Sequence, residues 1–174
     1  MQKLGLTGNI CAGKSQVEAI LEKKGYKVID LDKISHKFLE NNEEIKNHFK
    51  TLDRKIIAGI VFSDSSEKKF LESIIHPLLY NYILEEFKKD YEKIVISGAL
   101  LYEAGFDKLF DKIFFVDAPY DTRLERLMKR NNLSQKEAEK RLQAQNTNYK
   151  NHADYIIENN SSLDDLEKTI NSIL

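Results

Sequence analysis

The sequence predicts an α/β protein in which a five-stranded parallel sheet lies between two layers of helices. A short strand predicted to be buried, over residues 3–7, is followed by a glycine-rich loop and then by an amphipathic helix. Within residues 93–97 the apolar residues Ile94, Val95 and Ile96 are continuous and β-branched, which is typical of a central strand in a parallel sheet. Further strand patterns occur at residues 26–30, 112–117 and 153–157, with helical patterns between them.

The glycine-rich loop fits the pattern G-x-x-x-x-G-K-[ST], which is the phosphate-binding P-loop. Its glycines let backbone N–H groups approach an anion, and the helix that follows points the positive end of its dipole at the same phosphates. In such a loop Lys14 contacts the β- and γ-phosphates, and the hydroxyl of Ser15 is a ligand for Mg²⁺. The predicted fold is therefore a P-loop NTPase-type α/β/α fold. We expect a nucleoside triphosphate to bind Gly8, Asn9, Ile10, Cys11, Ala12, Gly13, Lys14, Ser15 and Gln16.

The composition indicates one globular domain that is soluble and cytoplasmic. The chain has 174 residues, of which 41% are hydrophobic, with two prolines and seven glycines. Its net charge of −1 gives no general affinity for nucleic acid or for an anionic membrane, and we expect neither as a partner. Cys11 is the single cysteine, which excludes an intramolecular disulfide, and no apolar run approaches the length of a membrane span. We expect a monomer, with an oligomer as the alternative.

Two carboxylates follow the second predicted strand, where open α/β sheets place their chemistry. Asp30 and Asp32 lie at the bend from strand to helix, and one of them can cap that helix. We favour a functional role for Asp32, whereas for Asp30 capping and function stay open. The region 38–90 that follows is predicted to be a helical insertion, which in small P-loop kinases binds the acceptor.

The apolar spacing between residues 70 and 87 is helical, and Pro77 is expected to bend or divide that stretch. His76, directly before Pro77, fits the end of a helix better than a catalytic residue.

Arginines cluster in one later segment. Four of the five arginines of the chain lie between residues 123 and 141. Arg130 and Arg141 are expected to contact phosphate, because a guanidinium offers a planar set of donors that suits phosphate oxygens. For Arg123 and Arg126, phosphate contacts and ion pairs with acidic neighbours stay open. A capping box beginning at Ser134 predicts a second helix, and two arginine-bearing helices joined by a turn are typical of a mobile lid.

Several ordered segments resemble the dephospho-CoA kinase family, which carries out the last step of coenzyme A biosynthesis. They are Val28–Asp32, Asp53-Arg54, Ile75-His76-Pro77, Leu100–Glu103, Arg126 through Gln145, and Ala153–Asn159. The resemblance implies that ATP, with Mg²⁺, phosphorylates the ribose 3′-hydroxyl of dephospho-CoA to give coenzyme A and ADP. It also implies a single domain over residues 1–174 in three parts: a nucleotide core (about 1–37, 91–120 and 152–174), a helical CoA-binding part (about 38–90) and a lid (about 121–151).

The resemblance also implies residue roles. Asp32 would orient or deprotonate the acceptor hydroxyl, while Lys14, Arg130 and Arg141 would stabilise the charge of the transferring phosphoryl group. Asn159 would complete the ATP site. The residues implied in binding the acceptor are Asp32, Arg54, His76, Leu101 and Glu103.

The chain departs from the family pattern at three places. Cys11-Ala12-Gly13 replaces the usual Gly-Ser-Gly, and Gln16 replaces a Thr or Ser. Ser97-Gly98-Ala99 stands in place of Asp-Val-Pro, which removes a carboxylate near Mg²⁺; Asp32 and Asp117 are candidates to replace it. At a helix N-terminus, Cys11 is also hypothesised to be an oxidation-sensitive thiol of low pKa.

Three other functions stay open at this point. The chain could phosphorylate another small molecule such as a nucleoside monophosphate. It could be a nucleotide-dependent switch, although the Asn-Lys-x-Asp motif that GTPases use to bind guanine is missing from the sequence. It could also bind CoA-like ligands without turnover, which the serine at position 97 favours.

Overall fold

The computed structural model describes residues 1–145 and 148–174. The strands within these residues are β1 (Gln2–Gly8), β2 (Lys27–Asp30), β3 (Lys93–Ser97), β4 (Lys112–Asp117) and β5 (Tyr155–Glu158). The α-helices within them are α1 (Lys14–Lys23), α2 (Leu31–Glu40), α3 (Glu43–Phe49), α4 (Arg54–Ser63), α5 (Ser65–Phe87), α6 (Tyr120–Asn131), α7 (Gln135–Gln143) and α8 (Leu163–Ile173). Short 3₁₀ helices span Asp107–Leu109 and Asn148–His152. Across the described residues, none of the helices has both the length and the apolar character needed to cross a membrane.

The sheet has the strand order β2-β3-β1-β4-β5. Strand β1 pairs in parallel with both β3 and β4, and β4 pairs in parallel with β5. The predicted α/β fold with a five-stranded parallel sheet is thereby confirmed for the described part of the chain. Apolar residues of β1, β3, β4 and β5 pack with α1 and α8 in one core, whose fully buried members include Leu4, Leu6, Val17, Leu21, Val95, Val116, Ile157 and Ile170. Because β1 is central, the loop that follows it lies at the carboxyl edge of the sheet, between the ends of two neighbouring strands.

The chain divides into two compact units, one formed by residues 1–29 and 91–174 and the other by residues 30–90. The sequence grouped residues 30–37 with the nucleotide core, but in the structure they belong to the helical unit. Helix α2 packs against α5 there, and the rings of Phe38 and Tyr82 meet edge to face with centroids 6.1 Å apart. The predicted lid (about 121–151) falls in the first unit, and its residues 146 and 147 lie outside the described residues.

Helix starts follow the predicted capping chemistry. Asp30 is the N-cap of α2, because its carboxylate accepts hydrogen bonds from the backbone N–H groups of Asp32 and Lys33. The predicted capping box at Ser134 and Glu137 is present at the start of α7. Ser162 is the N-cap of α8, and its Oγ accepts a hydrogen bond from the backbone N–H of Asp165.

Helix α5 is continuous over 23 residues, with Pro77 in its interior. The expectation that Pro77 divides this stretch is wrong, and so is the assignment of His76 to a helix end. Pro77 removes one N–H, whose partner would be the carbonyl of Ser73. Both residues lie on the exposed side of the helix, where water can hydrate that carbonyl, while Ile75 and Leu79 continue the buried side past the proline.

Candidate active site

The P-loop joins β1 to α1 and has the backbone shape of an anion cradle. Gly13 precedes the helix with a φ of 101°, and as a glycine it offers no side chain to cap the first N–H groups of α1. The start of a helix favours an anion, because its first N–H groups point out of the helix and its dipole is positive there; in this structure the N–H of Gln16 donates to the carbonyl of Gly13 at 2.9 Å. At Gly8 a Cβ atom would lie 2.4 Å from the carbonyl oxygen of Val116, so the loop can leave β1 only from a glycine. Both glycines of the motif are therefore required by the geometry of the loop.

Cys11 adopts a left-handed conformation, with a φ of 59°. A side chain in that region carries about 1 kcal/mol of backbone strain, which the glycine usual at this position in the family pattern does not have. Burial raises the pKa of the Cys11 thiol, and the positive charges of Arg130, Arg126 and Arg123 offset this only in part. The hypothesis of a thiol with a low pKa is therefore wrong.

Gln145 holds the first half of the loop. Its Oε1 accepts a hydrogen bond from the N–H of Ile10 at 2.7 Å, and its Nε2 donates to the carbonyl of Gly8 at 3.3 Å. The side chain thus pairs with the backbone as a neighbouring strand would. Gln145 ends a segment that resembles the family, but nothing in its sequence context assigns it to the site.

Asn159 holds the second half of the loop. Its Nδ2 donates to the carbonyl of Ala12 at 2.7 Å and to Oε1 of Gln16 at 2.8 Å. The side chain is buried and lies against Gly13, where a Cβ atom would come within 2.0 Å of Nδ2. The structure therefore places the predicted ATP-site residue Asn159 directly on the P-loop, as a support of its backbone.

Asp117, at the end of β4, organises a polar network next to the loop. Its carboxylate accepts hydrogen bonds of 2.7 Å from Nδ2 of Asn9 and from Nζ of Lys150. Burial alone would raise the pKa of Asp117, but the hydrogen bonds from Lys150, Asn9 and the backbone N–H of Ala118 outweigh it and lower this pKa. Because both of its oxygens have partners in this network, Asp117 is a poor replacement for the carboxylate missing at position 97.

Arg123 belongs to the same network. Its Nε donates to the carbonyl of Ala118 at 3.1 Å and lies 4.0 Å from a carboxylate oxygen of Asp117. This burial and pairing favour the structural alternative for Arg123. Two buried atoms of the network, Nη1 of Arg123 and Oδ1 of Asn9, lack a hydrogen-bond partner among the described residues. Unpaired polar atoms at this depth are uncommon, and they are consistent with a site that a polar ligand completes.

Arg126 contacts the P-loop from α6, with its Nη1 at 3.3 Å from the carbonyl oxygens of both Cys11 and Ala12. Arg130 is exposed one turn later, and its Nε donates to the side chain of Asn131 at 3.0 Å. Among the three arginines, the charge of Arg130 has the largest effect on the pKa of Cys11. The structure thus brings Arg126, whose role the sequence left open, onto the loop, whereas the phosphate contact expected of Arg130 stays a prediction.

Arg141 lies exposed on α7. Hydrogen bonds from Ser134 are the main cause of the lowered pKa of Glu137, and the positive charge of Arg141 adds to it. The phosphate contact assigned to Arg141 from the sequence stays a prediction.

Lys14 is held by two side chains that the sequence did not bring together. Its Nζ donates to Oγ of Ser97 at 2.8 Å and to Oε1 of Glu18 at 3.0 Å, and Ser97 in turn donates to the same oxygen of Glu18. Glu18 lies one helical turn beyond Lys14, a spacing visible in the sequence, whereas its contact with Ser97 depends on the fold.

The residues here suit Mg²⁺. Mg²⁺ prefers oxygen ligands. Three side chains in or next to the first half of α1 carry oxygen atoms that can serve as such ligands: the exposed Ser15, Ser97 and Glu18. Within residues 1–145 and 148–174, no three His, Cys, Asp or Glu side chains group closely enough to hold a metal ion by themselves.

The predicted acceptor-binding residues Asp32 and Arg54 lie in the helical unit, where His36 pairs with Arg54. A guanidinium N–H of Arg54 donates to Nε2 of His36 at 2.6 Å, which requires an unprotonated Nε2. The pKa of His36 is lowered, chiefly by burial and further by the charge of Arg54, and the charge of Asp32 opposes this only in part. His76 lies within α5 in the same unit. His36 was not assigned to the site from the sequence, because its pairing with Arg54 depends on the fold.

The segment Leu100–Glu103 follows β3. Leu101 is 1% exposed, so burial explains its apolar side chain and leaves only its backbone for a substrate. Glu103 is exposed, and its acceptor contact stays a prediction. Tyr102 stacks on Tyr149 with ring centroids 5.1 Å apart, and burial chiefly raises its pKa to about 12.

Comparison with known proteins decides the family. The family model for dephospho-CoA kinase matches residues 2–165. The chain belongs to the dephospho-CoA kinase family. A dephospho-CoA kinase of Fusobacterium nucleatum is 38% identical in an alignment of 181 positions, which covers 96% of this chain and 94% of the relative.

Solved structures agree with this membership in the dephospho-CoA kinase family. A crystal structure of a Thermus thermophilus protein is 35% identical and superposes with a TM-score of 0.87, covering 99% of this chain and 95% of that one. The dephospho-CoA kinase from Campylobacter jejuni is 33% identical, with a TM-score of 0.69 and coverage of 99% and 98%. Membership of this family argues against the two alternatives of a nucleoside monophosphate kinase and a nucleotide-dependent switch.

Proposed function

We infer that this protein is a kinase that phosphorylates dephospho-CoA to coenzyme A. We further propose that ATP is the donor and the ribose 3′-hydroxyl the acceptor. The observation that carries this inference is an intact P-loop, with Lys14 at the start of α1, in a chain that belongs to the dephospho-CoA kinase family. The P-loop indicates where the phosphate donor binds, and membership of the family indicates that dephospho-CoA is the acceptor.

The donor side of the reaction rests on the first unit. The N–H groups of the P-loop and Lys14 would bind the phosphates of ATP, and Ser15 would hold Mg²⁺ together with phosphate oxygens and water. When bound, Mg²⁺ neutralises charge on the phosphates. Arg130 and Arg141 would stabilise the charge that spreads over the transferring γ-phosphoryl group.

The acceptor side rests on residues of the helical unit and on Glu103. Asp32 would take the proton of the 3′-hydroxyl group of the acceptor. The hydroxyl oxygen forms a bond to the γ-phosphorus of ATP, while the bond between that phosphorus and the β–γ bridging oxygen breaks and ADP leaves. Arg54, His76 and Glu103 would bind the acceptor, and the pairing of Arg54 with His36 supports a preformed position for the guanidinium. Helix α4 also exposes Ile56 and Phe62, at 54% and 60%, which is apolar surface suited to the uncharged arm of dephospho-CoA.

The test is the release of ADP by the purified protein with ATP and Mg²⁺, with dephospho-CoA, AMP or adenosine as the acceptor. We expect strong stimulation by dephospho-CoA alone, with coenzyme A as the product. The variant Asp32→Asn is expected to lose turnover while ATP still binds. Binding of dephospho-CoA without turnover in the wild-type protein would refute the inferred activity and favour the alternative of a binding protein.

A further inference from the structure

Ser97 occupies a position where phosphoryl-transfer sites of this fold commonly have a carboxylate. It ends β3 and pairs in register with Leu6 of β1, two residues before the P-loop begins. In P-loop NTPases an aspartate at the end of a strand helps to hold Mg²⁺. A serine hydroxyl at this position carries no charge, so this chain either lacks that contribution or supplies it from another residue.

Glu18 brings a carboxylate to the same place. Its Oε1 accepts hydrogen bonds from Oγ of Ser97 and, at 3.0 Å, from Nζ of Lys14. The side chain of Glu18 is 13% exposed and that of Lys14 is 19% exposed, so both charges are largely removed from water. The carboxylate therefore lies within hydrogen-bond distance of the residue that replaces the aspartate, and it enters from α1 rather than from β3.

The charges indicate what this arrangement does when ATP binds. A largely buried carboxylate needs a partner of opposite charge, and Lys14 is its ion-pair partner here. The phosphates of ATP compete for Lys14, and a carboxylate beside them repels their negative charge. Glu18 would then require a new positive charge nearby. Mg²⁺ can provide it, with a metal-bound water donating the hydrogen bond to the carboxylate.

We propose that Glu18, acting with Ser97, replaces the missing strand-end carboxylate and makes tight ATP binding depend on Mg²⁺. Glu18 is a positioning residue in this role, since it orients the metal and its water rather than contacting the reacting atoms. The proposal rests on one part of the proposed function, that the P-loop binds ATP with Mg²⁺, and it does not depend on the identity of the acceptor.

The experiment measures ATP affinity by calorimetry without any acceptor, once with Mg²⁺ and once with a chelator. The variant Glu18→Gln keeps the size of the side chain and removes its charge. We expect its affinity for ATP with Mg²⁺ to fall by about tenfold, as for the loss of other residues that orient metal ligands. Its affinity for metal-free ATP is expected to stay the same or to rise, because a repulsive charge is gone.

Two further variants serve as a negative control and as a rescue of the Mg²⁺ dependence. Glu22→Gln removes an exposed carboxylate one turn further along α1 and is expected to leave both affinities unchanged. The double variant Glu18→Ala with Ser97→Asp moves the carboxylate to the strand and is expected to restore the gain in affinity from Mg²⁺ that Glu18→Ala alone loses.

A structural role for the Lys14–Glu18 pair predicts a different result. If the pair were only structural, Glu18→Gln would lower the affinity for ATP with Mg²⁺ and the affinity for metal-free ATP by the same factor, and that outcome would overturn the proposal. A folded Glu18→Gln protein whose ATP affinity gains as much from Mg²⁺ as that of the wild type would overturn it as well. A wild-type protein that does not bind ATP at all would instead refute the proposed function, and the inference with it.

Discussion

The support of the P-loop by Asn159 leads to a quantitative prediction for the variant Asn159→Ala. The substitution removes the hydrogen bonds from Nδ2 to Ala12 and Gln16 and leaves the buried carbonyl of Ala12 without that donor. At about 1 kcal/mol for each hydrogen bond, the free energy of unfolding should fall by about 2 kcal/mol. For a chain of this length, that corresponds to a decrease in Tm of about 4–8 °C.

The same substitution is expected to weaken ATP binding. Without the amide of Asn159, the second half of the loop has to be ordered when the phosphates bind, and this lowers the affinity for ATP by up to about tenfold. The free energy of unfolding is best followed by far-ultraviolet circular dichroism in urea, because the protein contains no tryptophan. Calorimetry with ATP and Mg²⁺ gives the affinity.

Asn160 provides the matched control, since it has the same side chain at the next position and is exposed. Asn160→Ala is expected to change the free energy of unfolding by less than about 0.5 kcal/mol and to bind ATP normally. If Asn159→Ala matched Asn160→Ala in both measurements, the amide would not support the loop and the reasoning from its contacts would be refuted.

Three further predictions test other parts of the molecule. Lys14→Ala is expected to lower kcat/KM by about 10²-fold or more in the ADP-release assay, and near-normal turnover would refute its role. Phe62→Ala is expected to raise the KM for dephospho-CoA without changing that for ATP, because the exposed ring lies in the helical unit; equal changes in both would contradict this. The pKa of His36 is lowered in the folded protein, so its contribution to stability is present above pH 6.5 and is lost as the pH falls below that value. The free energy of unfolding, measured in urea between pH 5 and pH 8, should therefore decrease towards pH 5, and this decrease should be smaller in His36→Gln. An identical pH dependence in the two proteins would contradict this prediction.

Local features of the fold could be predicted from the sequence because each is determined by a few neighbouring residues. The glycines of the P-loop are required by backbone geometry at Gly8 and Gly13, and the cap at Ser134 is contained within four residues. Helix α5 shows the limit of this reasoning. Proline generally disrupts helices, but Pro77 is tolerated because it lies on the exposed side, which depends on the packing of the whole unit.

The polar supports of the site could not be predicted from local patterns. Gln145 and Ile10 are 135 residues apart in the chain, and Ser97 and Glu18 are 79 residues apart. Family resemblance identified Asn159 but not what it contacts. The pKa of Cys11 was predicted in the wrong direction, because the helix N-terminus was visible in the sequence and the burial of the thiol was not.

The P-loop of this chain is therefore stabilised by residues distant in sequence. Cys11 holds a left-handed backbone conformation that is unfavourable for a residue with a side chain. Arg126 binds the carbonyls of Cys11 and Ala12, while Gln145 and Asn159 bind the backbone on either side. Because these contacts offset the strain before any ligand arrives, ATP meets a loop that is already ordered, and less of its binding free energy is spent on ordering it. By linkage, bound ATP should stabilise α6 and the segment directly after β5 together with the loop, since Arg126 of α6 and Asn159, the residue after β5, hold the loop in the conformation that binds ATP.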